Sequence, residues 1–249
     1  PPICLPIVLS LISAIAVHEV LWSTGFVKNI WISGCSIVLA AAVPFWVYYG
    51  EGEQIALGAL LVYTTFIFVV AITSHYSVTI DKIGNSAFFA LFIPYFLSSF
   101  IRLDQMELGK YLILLPLVTA FVCDAFAMFG GRFFGRHKLA PELSPKKTVE
   151  GALSGVVWAI LGLMLYGWIM ERFFLLEANY LRLALYGLLG SVISQMGDLV
   201  FSYIKRQYKI KDFGNLLPGH GGVLDRFDSV IFCAPLIELL IYLLPAITR

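Results

Sequence analysis

Long apolar runs separated by polar stretches dominate this chain. The runs cover about 3–21, 31–49, 54–73, 84–101, 109–130, 151–170, 181–204 and 229–247, and about 20 such residues are what a helix needs to cross a hydrocarbon core. The pattern predicts an all-α polytopic membrane protein of about eight transmembrane helices, a single integral-membrane domain over 1–249. Turn and charge signals fall between the runs, as at Gly50-Glu51-Gly52-Glu53 and Asp81-Lys82, and in two long polar stretches, 131–150 and 205–228. Residues 1–110 read as helices of generic pattern. Residues 111–249 carry both long polar stretches and read as the catalytic half.

Composition supports the bilayer as solvent. Hydrophobic residues make up 59% of the chain and charged residues 13%, against roughly half and a quarter in a soluble domain. A net charge of +1, from 17 basic and 16 acidic residues, argues against nucleic acid as a partner, although a local basic patch can still hold a phosphate. Placing both long polar stretches in the cytoplasm gathers twelve of the 17 cations there, Lys28 included. Arg102, Lys110, Arg172, Arg182 and Arg249 remain opposite with Glu51 and Glu53, as the positive-inside rule requires. Both ends then lie outside, and the abrupt Pro1-Pro2 start suits one more helix ahead of it. Cys4, Cys35, Cys123 and Cys233 sit far apart in apolar runs and read as small buried hydrophobes.

Ionisable groups within such runs are costly and mark candidate sites. Asp124 and Asp198 both fall toward the cytoplasmic ends of their spans; Asp124 reads equally well as a carboxyl hydrogen-bonded between helices. Glu238 is ambiguous, the His18-Glu19 pair reads as interfacial, and His75 and His137 lack metal-ligand spacing. Ser202, Lys205 and Arg206 follow Asp198 at offsets of four, seven and eight and can share a helix face. Carboxylate, hydroxyl and two cations in that order can hold a metal ion and its phosphate, or simply end a positive-inside helix.

The segment from Lys211 and Asp212 through Gly219-His220-Gly221-Gly222 to Asp225-Arg226-Phe227-Asp228 is denser in signals. Its glycines let backbone N–H groups approach an anion, and Asp225 and Asp228, three apart at a helix start, can turn toward one ion; Asp228 alone would also serve as a helix cap. Carboxylate oxygens favour Mg²⁺, which takes one or two protein carboxylates and shares the rest with water and phosphates, so Asp198, Asp225 and Asp228 suffice for one or two metal ions. In the other polar stretch Ser144, Lys146, Lys147 and Thr148 can embrace a triphosphate or anchor a loop at anionic lipid.

With these residues in place the chain resembles the bacterial phosphatidate cytidylyltransferases, or CDP-diglyceride synthases. Their signature runs Ser-x-x-Lys-Arg, Lys-Asp, Pro-x-His-Gly-Gly and Asp-Arg-x-Asp; here it stands as Ser202, Lys205, Arg206, Lys211, Asp212, Pro218, His220, Gly221, Gly222, Asp225, Arg226 and Asp228. The likeness reaches back through Gly197-Asp198-Leu199 and Ser144-Pro145-Lys146-Lys147-Thr148-x-Glu150-Gly151 to Asp124. One position departs: where family members commonly carry Glu before the signature serine, this chain has Phe201.

The resemblance implies transfer of CMP from CTP to phosphatidic acid, giving CDP-diacylglycerol and pyrophosphate, with Mg²⁺ on Asp198, Asp225 and Asp228. It implies catalytic roles for those aspartates with Lys205, Arg206 and His220. Substrate contacts fall to Lys146, Lys147, Ser144, Thr148, Asp124, Ser202, Lys211, Asp212, Gly221, Gly222 and Arg226. The expected setting is the bacterial cytoplasmic (inner) membrane with the active site facing the cytoplasm; a homodimer is compatible with it, and nucleic acid is not a partner. A related CTP-dependent lipid cytidylyltransferase or kinase with another lipid acceptor is the nearer rival. An ion or phosphate transporter is the rival from another class, and it would place its polar groups near the midplane with access from both faces.

Overall fold

The computed structural model describes residues 3–25, 29–50, 53–74, 77–216 and 221–249. Lys28, Glu51, His75, Pro218 and His220, all used above, lie outside the described residues. The chain divides into two compact units, Pro1–Arg102 with Gln207–Phe227, and Leu103–Arg206 with Asp228–Arg249.

The first unit is built on four long helices: α1 (Cys4–Ser23), α2 (Ile30–Tyr49), α3 (Glu53–Thr73) and α4 (Ile80–Leu97). Asn29 caps α2, its Oδ1 accepting from Trp31 N at 3.0 Å, and Gly50 ends that helix at φ 65°. α1 packs on α2 and α4, and α2 also packs on α3. Lipid tails are as apolar as leucine, so close packing and hydrogen bonds must hold such helices together. Val17, Val20, Ile32, Ala40 and Ile93 are fully buried, Ser10 Oγ donates to Ala41 O at 2.7 Å, and the Ser36 and Tyr63 hydroxyls meet at 2.9 Å.

A short α5 (Ser99–Asp104) leads into the second unit, which holds α6 (Gly109–Leu112), α7 (Leu114–Phe134), the strands β1 (Lys138–Ala140) and β2 (Ser144–Thr148), and α8 (Val149–Phe174). After β3 (Glu177–Ala178) come α9 (Tyr180–Gln207), α10 (Leu224–Leu243) and β4 (Ile247–Thr248). β1 pairs antiparallel with β2, and β3 with β4. α7 packs on α8. Tyr186 OH donates to Leu240 O at 3.0 Å and Leu244 O at 2.6 Å, tying α9 to the end of α10, and Tyr166 OH donates to Tyr111 O at 2.7 Å.

The all-α membrane class holds. Among the described residues, seven helices are long and apolar enough to cross a membrane, with α4 and α5 counted together and α6 with α7. α10 is the eighth by length at 20 residues, although Asp225, Arg226, Asp228 and Glu238 make it more polar. Two boundaries differ from expectation. The last helix begins at Leu224, ahead of the apolar run from 229, with Asp225 and Asp228 at its start as their spacing predicts. The stretch 131–150 is not a bare loop: α7 continues to Phe134, and a β-hairpin follows.

Candidate functional site

In the second unit, α9 presents Asp198, Ser202 and Lys205 on one face, their spacings of four and three matching the helical period. Ser202 is 7% exposed and donates its hydroxyl to Asp198 Oδ1 at 3.3 Å. The other oxygen, Asp198 Oδ2, is in an ion pair with Lys147 Nζ. Lys205 is also buried.

Lys147 arrives from β2, and the hairpin carrying it is anchored several times. Arg206 Nε donates to Leu143 O at 3.1 Å, and Lys138 Nζ to Pro145 O at 2.7 Å. The Glu150 carboxylate accepts from Arg136 N at 3.0 Å and from His137 N at 3.2 Å, and meets His137 Nδ1 at 2.5 Å. Thr148 is buried as the cap of α8, its Oγ1 accepting from Gly151 N at 3.1 Å. Its hydroxyl, expected near a triphosphate, therefore has a structural partner. Ser144 is half-buried, and Lys146 is exposed.

α10 supplies Asp228, 8% exposed, whose Oδ1 accepts from Ser229 N at 2.8 Å. Ser229 Oγ in turn donates to Asp124 Oδ2 at 2.6 Å, linking α10 to α7. α9 reaches α10 closely because residue 197 has no side chain: a Cβ on Gly197 would stand 2.8 Å from Asp228 O and 2.9 Å from Phe232 Cβ. The charges of Asp198, Lys205 and Asp124 all act on Asp228. Three carboxyl groups thus share this region with Lys147 and Lys205.

No group of three His, Cys, Asp or Glu side chains among the described residues is spaced to hold a metal ion. Of the three aspartates expected to hold a divalent cation, Asp198 and Asp228 belong to this unit and Asp225 to the other; two carboxylates suit Mg²⁺, which completes its octahedron with water and substrate phosphates.

The glycine-rich segment belongs to the first unit. Asp225 Oδ2 accepts from Phe213 N at 2.8 Å and from Gly222 N at 3.0 Å. Glu19 of α1 accepts from Val223 N at 3.0 Å through Oε1 and from Leu224 N at 2.8 Å through Oε2. The anions that these loop N–H groups approach are therefore the protein's own carboxylates. Gly221 takes φ 81°, while Lys211, Asp212 and Arg226 are exposed.

Phe201 is fully buried and stands edge-on to Phe232, the ring centroids 6.2 Å apart. Its position is part of an apolar contact between α9 and α10. Two hydrogen-bonded residues escaped the sequence reading, Ser229 and Gln195, whose Nε2 donates to Ala152 O at 3.1 Å, and Glu19, read there as interfacial, is buried with two backbone partners. Glu19 did carry a signal, since it lies in an apolar run with no Lys or Arg three or four positions away to pair with.

The acids and lysines of this region are carried by the long apolar helices and the hairpin of a polytopic membrane protein. The model of the Cytidylyltransferase family matches residues 2–244, and the chain belongs to that family. Over 191 residues it is 38% identical to a phosphatidate cytidylyltransferase of Bacillus subtilis (strain 168), covering 76% of this chain and 68% of the relative. A phosphatidate cytidylyltransferase of Rickettsia conorii is 39% identical over 173 residues, covering 68% of this chain and 74% of the relative. One from Staphylococcus epidermidis is 41% identical over 133 residues, covering 53% and 50%.

Proposed function

We propose that this protein transfers CMP from CTP to phosphatidic acid, yielding CDP-diacylglycerol and pyrophosphate, in the bacterial cytoplasmic membrane with its site toward the cytoplasm. The relatives' names supply the reaction, and one observation carries it to these residues: the meeting of Lys147 from the hairpin with Asp198 on α9, close against α10 and its Asp228.

The nucleophile is the lipid's own phosphate, whose second pKa of about 6 leaves it mostly ionised at neutral pH, so the protein needs no strong general base. Positioning and charge neutralisation are the remaining tasks. A divalent cation on Asp198 and Asp228 would supply charge neutralisation and polarise the α-phosphate. Lys147, Lys146, Lys205 and Arg206 balance the triphosphate charge and hold the α-phosphorus in line. Ser202 keeps Asp198 in one orientation, and Ser229 with Asp124 does the same for Asp228. His220, which the resemblance makes catalytic, would orient a phosphate or protonate the leaving pyrophosphate, a role that rests on the resemblance alone.

The test is CMP transfer from radiolabelled CTP to phosphatidic acid in detergent micelles, with and without Mg²⁺, for the wild type and Asp228→Ala. Metal-dependent CDP-diacylglycerol that disappears in the variant is the expected result. A folded full-length wild type that makes no product, but whose liposomes pass ions or phosphate, would replace this reading with the transporter.

A further inference from the structure

Glu19 is a carboxylate in an apolar helix, 8% exposed, and both of its oxygens are directed at backbone. Its partners are the N–H groups of Val223 and Leu224, 204 and 205 positions away in the chain. Leu224 opens α10, so these are donors that the helix itself cannot satisfy, and a negative charge at that end is favoured by the aligned peptide dipoles. The packing around the carboxyl is as specific as its hydrogen bonds. A Cβ on Gly214 would stand 2.5 Å from Glu19 Oε1 and 2.8 Å from its Cδ, and one on Gly222 would stand 2.6 Å from the same Cδ. Two glycines of the loop are thus faces against which this one side chain is seated.

We infer that Glu19 is a positioning residue for the proposed transfer reaction, and this inference rests on that reading. It contacts no reacting atom. Glu19 and Asp225 divide the work on one loop: Asp225 gathers Phe213 N and Gly222 N, and Glu19 gathers Val223 N and Leu224 N. Four loop amides are fixed by two carboxylates, and the first turn of the helix that carries Asp225, Arg226 and Asp228 takes its place from them. The glycines at 214 and 222 are explained on the same ground, because any larger residue would displace the Glu19 carboxyl.

The test uses the full-length protein in detergent and in liposomes. Glu19→Gln is nearly isosteric but replaces one acceptor oxygen by a donor, and a charge-assisted bond of this kind is worth about 10- to 100-fold in an equilibrium or rate. The expected result is a fall of about 10- to 100-fold in kcat with KM for CTP changed by less than about 3-fold, while amide exchange at 222–224 rises by a similar factor. Gly214→Ala should reproduce both changes, and Glu19→Asp, which keeps two acceptors on a shorter arm, should recover part of the loss. Wild-type activity decides the reaction itself, and amide exchange decides the seating of the loop whatever the reaction proves to be. Unchanged exchange at 222–224 in a folded Glu19→Gln protein would overturn the inference. So would exchange rising equally along every helix, since that would make Glu19 a general stabiliser.

Discussion

Ser229 is bonded to two acids at once: its hydroxyl donates to Asp124 Oδ2 at 2.6 Å, and its backbone N–H donates to Asp228 Oδ1 at 2.8 Å. Asp124 thereby bears on Asp228 through a residue that carries no charge. Ser229→Ala leaves the inward Asp124 oxygen without its donor, a loss of about 1–3 kcal/mol. We expect a lower unfolding midpoint in detergent and a reduced kcat. Asp124→Asn retains a carbonyl acceptor for the same hydroxyl and should keep most of the stability. Equal midpoints for wild type and Ser229→Ala would contradict the linkage.

The charges of Asp198, Asp124 and Lys205 act on Asp228, and Lys147 pairs with Asp198. Asp228→Asn removes one repelling charge while preserving shape, so the fold should be as stable as wild type or more so. Activity should fall by at least about 100-fold, because the proposed Mg²⁺ would lose one of two carboxylate ligands. EDTA should abolish transfer by the wild type, and added Mg²⁺ should restore it; full activity in EDTA would remove the metal from the mechanism.

Lys147 is half-buried and paired with Asp198. Lys147→Met keeps the apolar stem but removes the ammonium, leaving a carboxylate without its partner, a change of about 2–5 kcal/mol when such a pair is well buried. At roughly a quarter exposure the lower end applies, so transfer should drop by about 10- to 100-fold. Lys147→Arg, with a wider planar head, should recover only part of this. Initial rates over a range of CTP concentrations measure both effects.

Gly197 meets backbone, not a flexible side chain, at its closest point: its Cβ would lie 2.8 Å from Asp228 O. The carbonyl of a helix cannot swing aside, so Gly197→Ala must push α9 and α10 apart. The expected destabilisation is about 1–3 kcal/mol, with a parallel loss of activity because Asp198 and Asp228 separate. Thermal unfolding followed by circular dichroism reads the first effect and the transfer assay the second.

Thr148 caps α8 through a 3.1 Å bond from Gly151 N. Thr148→Ala should cost about 1 kcal/mol. Thr148→Asp, which restores a capping acceptor without a hydroxyl, should recover that stability. If Thr148 instead grips the triphosphate, Thr148→Asp will raise KM for CTP sharply while leaving the unfolding midpoint low.

The helices were legible because each is a run of apolar residues bounded by turn signals: 31–49 and 54–73 return almost unchanged as Ile30–Tyr49 and Glu53–Thr73. The start of α10 was legible from the spacing of Asp225 and Asp228 but not from its apolar run, which begins near 229 because composition around 224–228 is polar; Leu224 is met from outside by Glu19 on another helix. The hairpin at 138–148 was hidden, since Lys146 and Lys147 give a strand no apolar alternation to announce it. Of the site, Asp198, Ser202 and Lys205 could be read from a helical period, and Asp228 from its segment. What pairwise spacing could not reveal was division of labour: Thr148 serves the end of α8, and Asp225 closes its own loop.

The bond between Glu19 and the start of α10 also orders events during synthesis. α1 leaves the ribosome more than 200 residues before Val223 and Leu224, an interval of about 10 to 40 s at ordinary elongation rates. Throughout that time an acid has entered the membrane region without the amides it is built to meet. The last helix therefore finds its acceptor already inserted with the first, and a nascent chain halted before residue 223 cannot make these two bonds however well its earlier spans have inserted.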